Sequence, residues 1–296
     1  MSLDRRQLAV LVLLTLVWGL NWPVMKLGAS NHPPLTFRML SMWIGLPILG
    51  ALLVATRVPF RVAREHWREL GLLTLANMLV WHVFAILAVR ELSSGRAAIL
   101  GYTMPIFSSL WGGLVFGERL APRARAGVIA AAVGVLLLLW HEMSALAGRP
   151  FWAGVMLFAA AAWGYGTHLV RRTRIPVPTL TLSFWMTAIT TVVMTVVAAA
   201  FERREWHAPS SLVWGAIAYN GVLIFGFAQP AWFYLARGLP PVASTLSVMM
   251  IPVLGLAGGA LWLGEVLHWQ DFAAIALLLA AIGSVLWPAR PAVQRA

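Results

Sequence analysis

In a chain that is 60% hydrophobic and 11% charged, few residues can do chemistry, and most of those sit in apolar surroundings. Asn77, Met78, Trp81, His82 and Ala85 recur at spacings of three and four, which places a polar and aromatic stripe along one helix face. A second segment carries Phe225, Gln229 and Trp232, and Trp18, Asn21, Tyr102, Trp163 and Met249 lie deep in other apolar stretches. His82 and Gln229 can hydrogen-bond a ligand, and aromatic faces stack on aromatic groups or attract cationic amines. The same polar groups could instead tie helix to helix, which is worth about 1 kcal/mol in a membrane. No paired acids, metal-ligand cluster or Ser/His dyad is found within these stretches, so the expectation is no catalytic residue, no metal, no cofactor and no enzyme activity. With no Cys there is also no thiol nucleophile and no thiolate site. The chemistry to expect is recognition.

The elements that must position these residues follow from the charge distribution. A spanning helix needs about 20 mostly apolar residues. Ten stretches free of Asp, Glu, Lys and Arg run Gln7–Met25, Met39–Thr56, Leu70–Val89, Ala97–Gly117, Ala126–His141, Pro150–Val170, Ile175–Phe201, His207–Ala236, Gly238–Gly264 and Phe272–Ala289. The fifth is short, and Arg123 and Arg125 can extend it by snorkelling. Short gaps between the stretches exclude a soluble domain and imply antiparallel neighbours. The first stretch is too long and too rich in Trp to read as a cleaved leader. Lys and Arg on the N-terminal side of the bundle outnumber those on the other side by more than two to one, so both termini are expected in the cytoplasm. That bias also accounts for the net charge of +12, which therefore reports topology and contact with anionic lipid and implies no nucleic-acid partner.

Sliding the chain against itself by 147 places brings Pro105 onto Pro252, Gly112 onto Gly259, Gly117-Glu118 onto Gly264-Glu265 and Trp140 onto Trp287. A shift of 145 aligns Trp18-Gly19 with Trp163-Gly164, Lys26 with Arg171 and Pro33 with Pro178. The reading is a duplication, residues 1–147 and 148–296, with five spans each. An odd number of spans makes the second copy enter the membrane in the opposite direction. The fold class expected is thus an all-α membrane protein of ten transmembrane helices in two inverted five-helix repeats, an architecture that places a substrate near the midplane between the halves. Under the 147 shift His82 meets Gln229 and Met78 meets Phe225. Pro105 and Pro252 each remove a mid-helix hydrogen bond and are candidate gating bends. Gly113 with Gly117 and Ala260 with Gly264 are small-xxx-small pairs, read as packing within a monomer. Glu118 and Glu265 close their spans as rim charges or as gate elements. No Gly-rich phosphate loop is present to couple nucleotide hydrolysis, and no acid lies inside a span to carry a proton.

The chain resembles the drug/metabolite transporter superfamily in its ten-helix form with two EamA-type repeats. The resemblance rests on Trp18-Gly19-x-Asn21 followed by Lys26, on Pro34-x-x-x-Arg38, on Pro105 through Gly117-Glu118-Arg119-Leu120, and on Pro252 through Gly264-Glu265. Within it, the chain is most similar to the YddG-type exporters of aromatic amino acids. Two positions depart from an even repeat: Gly166 stands where Asn21 would recur, and Ser183 stands opposite Arg38. The resemblance implies a multi-pass protein of the bacterial inner membrane that exports small metabolites by alternating access. Aromatic or neutral amino acids are the expected substrates, cationic drugs or dyes the alternative, and facilitated transport the simplest mechanism. A receptor or an intramembrane enzyme is the alternative from another class.

Overall fold

The computed structural model describes residues 5–118, 122–144, 149–228, 231 and 241–286. Among them all regular elements are helices. The first, α1 (Arg5–Asn31), meets α2 (Pro34–Ala55) at a tight corner, where Pro34 opens the helix at a position whose N–H would have no partner anyway. A long helix follows, α3 (Arg64–Glu91), interrupted by a π-helical turn over Thr74–Leu79. Next come α4 (Ser94–Gly101), capped by the Ser93 hydroxyl accepting from the Arg96 N–H at 3.4 Å, then α5 (Met104–Leu114) and α6 (Pro122–Ser144). The remaining helices are α7 (Pro150–Arg172), α8 (Thr179–Glu202), α9 (Ser211–Ala228), α10 (Pro241–Leu263) and α11 (Trp269–Leu286). The second part of α9, Tyr219–Ala228, is also π-helical.

Among the described residues six helices are long and apolar enough to cross a membrane: α1, α2, α3, α7, α9, and α8 with its extension to Glu205. Shorter apolar segments lie within α6, α10 and α11. Large apolar side chains such as Trp140, Phe151, Leu261 and Trp262 stand fully on the outside, a surface that suits lipid rather than water. Inside, Ser41, Thr74, Thr190 and Thr191 donate to carbonyls one turn back at 2.7 to 2.8 Å, so the hydroxyls are satisfied without a partner helix.

Three departures from the charge-free stretches bear on the interior of the bundle. The fourth stretch is two helices, because the chain breaks at Tyr102 and Thr103. Pro105 has no N–H for the Gly101 carbonyl, and the chain restarts with Pro105 in the first turn of α5. Its repeat mate Pro252, by contrast, lies inside the continuous α10. The second stretch begins a turn earlier than its charges allow, so Arg38 lies within α2 and is buried. The fifth extends as far back as Pro122, taking in Arg123 and Arg125 as snorkelling anticipates.

Helices α1 and α10, α2 and α8, α2 and α9, α3 and α7, and α6 and α11 make the most extensive pairings. The main apolar core draws Trp22, Phe37, Met42, Ile86, Met156, Phe225 and Leu278 from six of these helices.

Candidate functional site

Four aromatic side chains run through the core in contact with one another. Tyr102 meets Trp22 at 6.1 Å between ring centroids, Trp22 meets Trp81 edge-on at 6.5 Å, and Trp81 meets Trp163 at 5.5 Å. Edge-to-face pairs at these distances are mutually attractive. They link α4 to α1, α1 to α3 and α3 to α7. Small residues let the rings close up. A side chain at Gly101 would strike the Trp22 ring, and one at Gly166 would strike the Asn77 backbone, which is why α7 can press against α3 at the π turn.

The stripe on α3 therefore divides. Asn77 faces α7, its amide N–H reaching the Trp163 carbonyl at 3.4 Å. Met78 packs with Leu70, Met186 and Trp163, and Trp81 joins the aromatic line. His82 turns the other way, its ring 5.5 Å from that of Phe225 on α9. Phe225 reaches this position because Gly45 on α2 leaves it room. Asn21 is buried on α1, one turn before Met25. Trp18 packs at the edge of the core, and Met249 lies against Gly283 of α11. Gln229 and Trp232 lie outside the described residues, as do Arg119, Leu120 and Trp287.

Two residues at the centre carry more weight than their sequence context implies. Trp22, beside the first-helix motif, is only 4% exposed and holds the middle of the aromatic line. Arg38, next to the first residue of a charge-free stretch, is 3% exposed. Its Nη1 donates to Asn220 Oδ1 at 3.2 Å and its Nη2 to Met25 Sδ at 2.6 Å, while its guanidinium carbon sits 6.0 Å from the centroid of Phe225.

Carboxylates hold the rim. Glu265 accepts from the Ser94 N–H and Oγ–H at 2.6 and 2.9 Å and from the Gly95 N–H at 3.2 Å, so it caps α4 from the end of α10. Its repeat mate Glu118 instead receives Arg172 at 2.7 Å. That hydrogen bond, with His168 and the nearby arginines, holds the Glu118 carboxyl below the usual carboxylate range. Gly117 and Gly264 precede the two acids at φ of 68° and 66°, and each acid's N–H closes the helix on the carbonyl six residues back. The buried Glu202 accepts from the N–H groups of Leu35 and Thr36 at 2.9 and 2.7 Å and so caps α2 from α8. Arg96 pairs with the buried Asp271 at 2.8 Å. Both acids buried among the described residues, Glu202 and Asp271, are at helix ends.

Residues 6–140 and 150–287 each match the EamA-like transporter family. This chain belongs to that family. Among its relatives are the protein named "Uncharacterized transporter YoaV" of Bacillus subtilis, 27% identical with 86% of this chain and 88% of that one covered, and the "Uncharacterized inner membrane transporter YedA" of Escherichia coli, 27% identical over 95% and 92%. The "Probable amino-acid metabolite efflux pump" of Salmonella typhimurium is 28% identical over 95% and 94%. A crystal structure superposes with a TM-score of 0.64 over 94% of this chain and 97% of that one, at 22% identity, and so speaks for the fold alone. The EamA membership makes the chain a multi-pass membrane transporter.

Proposed function

We propose that the protein is a secondary transporter that exports small metabolites, foremost aromatic and neutral amino acids, across the bacterial inner membrane by facilitated alternating access. The aromatic line from Tyr102 to Trp163, with His82 and Phe225 beside it, carries this reading, because it offers stacking surface and hydrogen-bonding groups where helices of both chain halves meet. Trp18, Asn21, Met78, Gln229, Trp232 and Met249 complete the proposed lining. The names of an amino-acid metabolite efflux pump and an inner membrane transporter among the relatives agree with it.

The reading of two inverted five-helix repeats, residues 1–147 and 148–296, is supported by the packing. If α4 and α5 count as one broken span, the described residues supply ten. Exchanging the first five for the last five then turns α1 against α10 into α7 against α4 and α5. It likewise turns α2 against α9 into α8 against α3, and leaves the pairs α2–α8 and α6–α11 in place. Both π segments fall at equivalent positions, in α3 and α9. In this scheme the termini are cytoplasmic, Pro105 and Pro252 are the bending points, and one chain suffices as the functional unit.

Counterflow in proteoliposomes tests the function. Liposomes preloaded with unlabelled phenylalanine, leucine or a quaternary dye should take up the matching labelled compound, with phenylalanine fastest. Uptake of the dye alone would favour the cationic-drug reading, and no uptake of any compound would remove the transport reading.

A further inference from the structure

We infer that Arg38 is the anchor for a substrate carboxylate, so that the transported molecules carry a carboxyl group and, in the leading case, are zwitterionic α-amino acids. This rests on the transport reading above and names the substrate class of the same site.

A guanidinium inside a membrane bundle is costly unless it is paired. Arg38 is buried, yet among the described residues no carboxylate forms an ion pair with it. Its neighbours are neutral: the Asn220 amide oxygen on Nη1 and the Met25 thioether on Nη2, the latter a weak acceptor. Nε is buried with no hydrogen-bond partner. Nε and Nη2 lie on the same edge of the guanidinium, the edge that receives a carboxylate through two parallel N–H···O bonds. Asn220 of α9 takes Nη1, while Nη2 reaches Met25 of α1. The edge therefore holds one unused donor and one donor given to a group that a carboxylate oxygen outcompetes.

Of the four other buried polar side-chain atoms without a partner among the described residues, two are Asn21 Oδ1 and His82 Nδ1. Asn21 shares a face of α1 with Met25, which touches Arg38, and His82 shares Phe225 with Arg38. An amide oxygen accepts from an ammonium, and an aromatic face covers an apolar side chain. A cation, an amide acceptor and aromatic surface are the complements of carboxylate, ammonium and side chain in an amino acid. A buried uncompensated positive charge also repels a quaternary cation, which sets the site against the dye reading.

The test uses the intact purified protein and two readouts. In detergent, the melting temperature is measured with neutral and aromatic L-amino acids, with their carboxamides and with 3-phenylpropionate; in proteoliposomes the same compounds compete with labelled phenylalanine counterflow. Expected are stabilisation and competition by the acids, with the carboxamides at least tenfold weaker, and loss of the distinction in Arg38→Gln but retention of part of it in Arg38→Lys. The wild-type contrast between acid and carboxamide stands even if the variants do not fold. Carboxamides equal to the acids in the melting assay, or no shift with any acid, would overturn the carboxylate anchor. Failure of counterflow while the acids still stabilise would leave the anchor standing and remove transport.

Discussion

Trp22 illustrates how much a single side chain's position matters. It sits between Tyr102 and Trp81, so replacing it by Ala removes two ring contacts and opens a hole in the line. Burial of a large ring is worth about 3–5 kcal/mol against Ala. Trp22→Ala should lower the melting temperature and cut phenylalanine counterflow by about tenfold or more, whereas Trp262→Ala, on the lipid-facing side of α10, should leave both within error. Equal effects at the two positions would argue against a specific role for the line. At this scale the sequence was partly legible. Trp81, His82, Trp163 and Phe225 stood out by spacing and by the repeat, whereas Arg38 entered only through the Pro34-x-x-x-Arg38 motif, outside the charge-free stretch that begins at Met39. Its burial depends on Asn220 and Phe225, which arrive from far along the chain only when α9 packs on α2.

At the scale of elements, the ends of helices do the holding. Glu265 binds α10 to the first turn of α4 through three hydrogen bonds, while Glu118, in the equivalent place, is held by Arg172. In the proposed topology the Glu265 contact closes the outer side. Glu265→Gln removes the charge that complements the α4 N-terminus and should open that side more often. Because the chain has no Cys, a single Ala97→Cys can report this: alkylation from outside should rise severalfold in the Glu265→Gln background. Unchanged labelling would mean that the cap is static. A second element contact lies between the α1–α2 corner and the segment after α8, where His32 Nδ1 and His207 Nε2 are 3.3 Å apart. Burial, and then the nearby His207, push the His32 imidazole below its ordinary value. A depressed folded-state value means that the contribution is fully present above the unfolded value, about 6.5, and is lost as pH falls through the folded one. Wild type should therefore lose thermal stability between about pH 7 and 5, and His32→Gln should flatten that slope.

For the whole molecule, the proposed mechanism makes a claim about coupling. The buried acids of the described residues, Glu202 and Asp271, are committed at helix ends to caps and to Arg96, so neither is positioned as a proton carrier through the core. A pH gradient imposed on proteoliposomes should therefore not drive uphill accumulation of phenylalanine, and substrate flux should leave internal pH unchanged. Accumulation abolished by His82→Ala would mean that the histidine carries a proton and the facilitator reading is wrong.

Composition and the spacing of charges were enough to establish a helical membrane protein, because a bilayer admits only apolar segments that satisfy their own backbone hydrogen bonds. The duplicated Pro, Gly and Glu positions pointed to the family for the same reason: caps and bends are local, and local chemistry is written in adjacent residues. The break at Tyr102–Thr103 was half-visible in Pro105, whose missing N–H is a local fact, whereas the continuity of α10 through Pro252 was not. Only the tertiary structure decided which polar residues are buried close to one another. Arg38, Asn21, His82 and Phe225 come from four helices, and burial, unlike capping, is a property of what packs on a residue rather than of what precedes it in the chain.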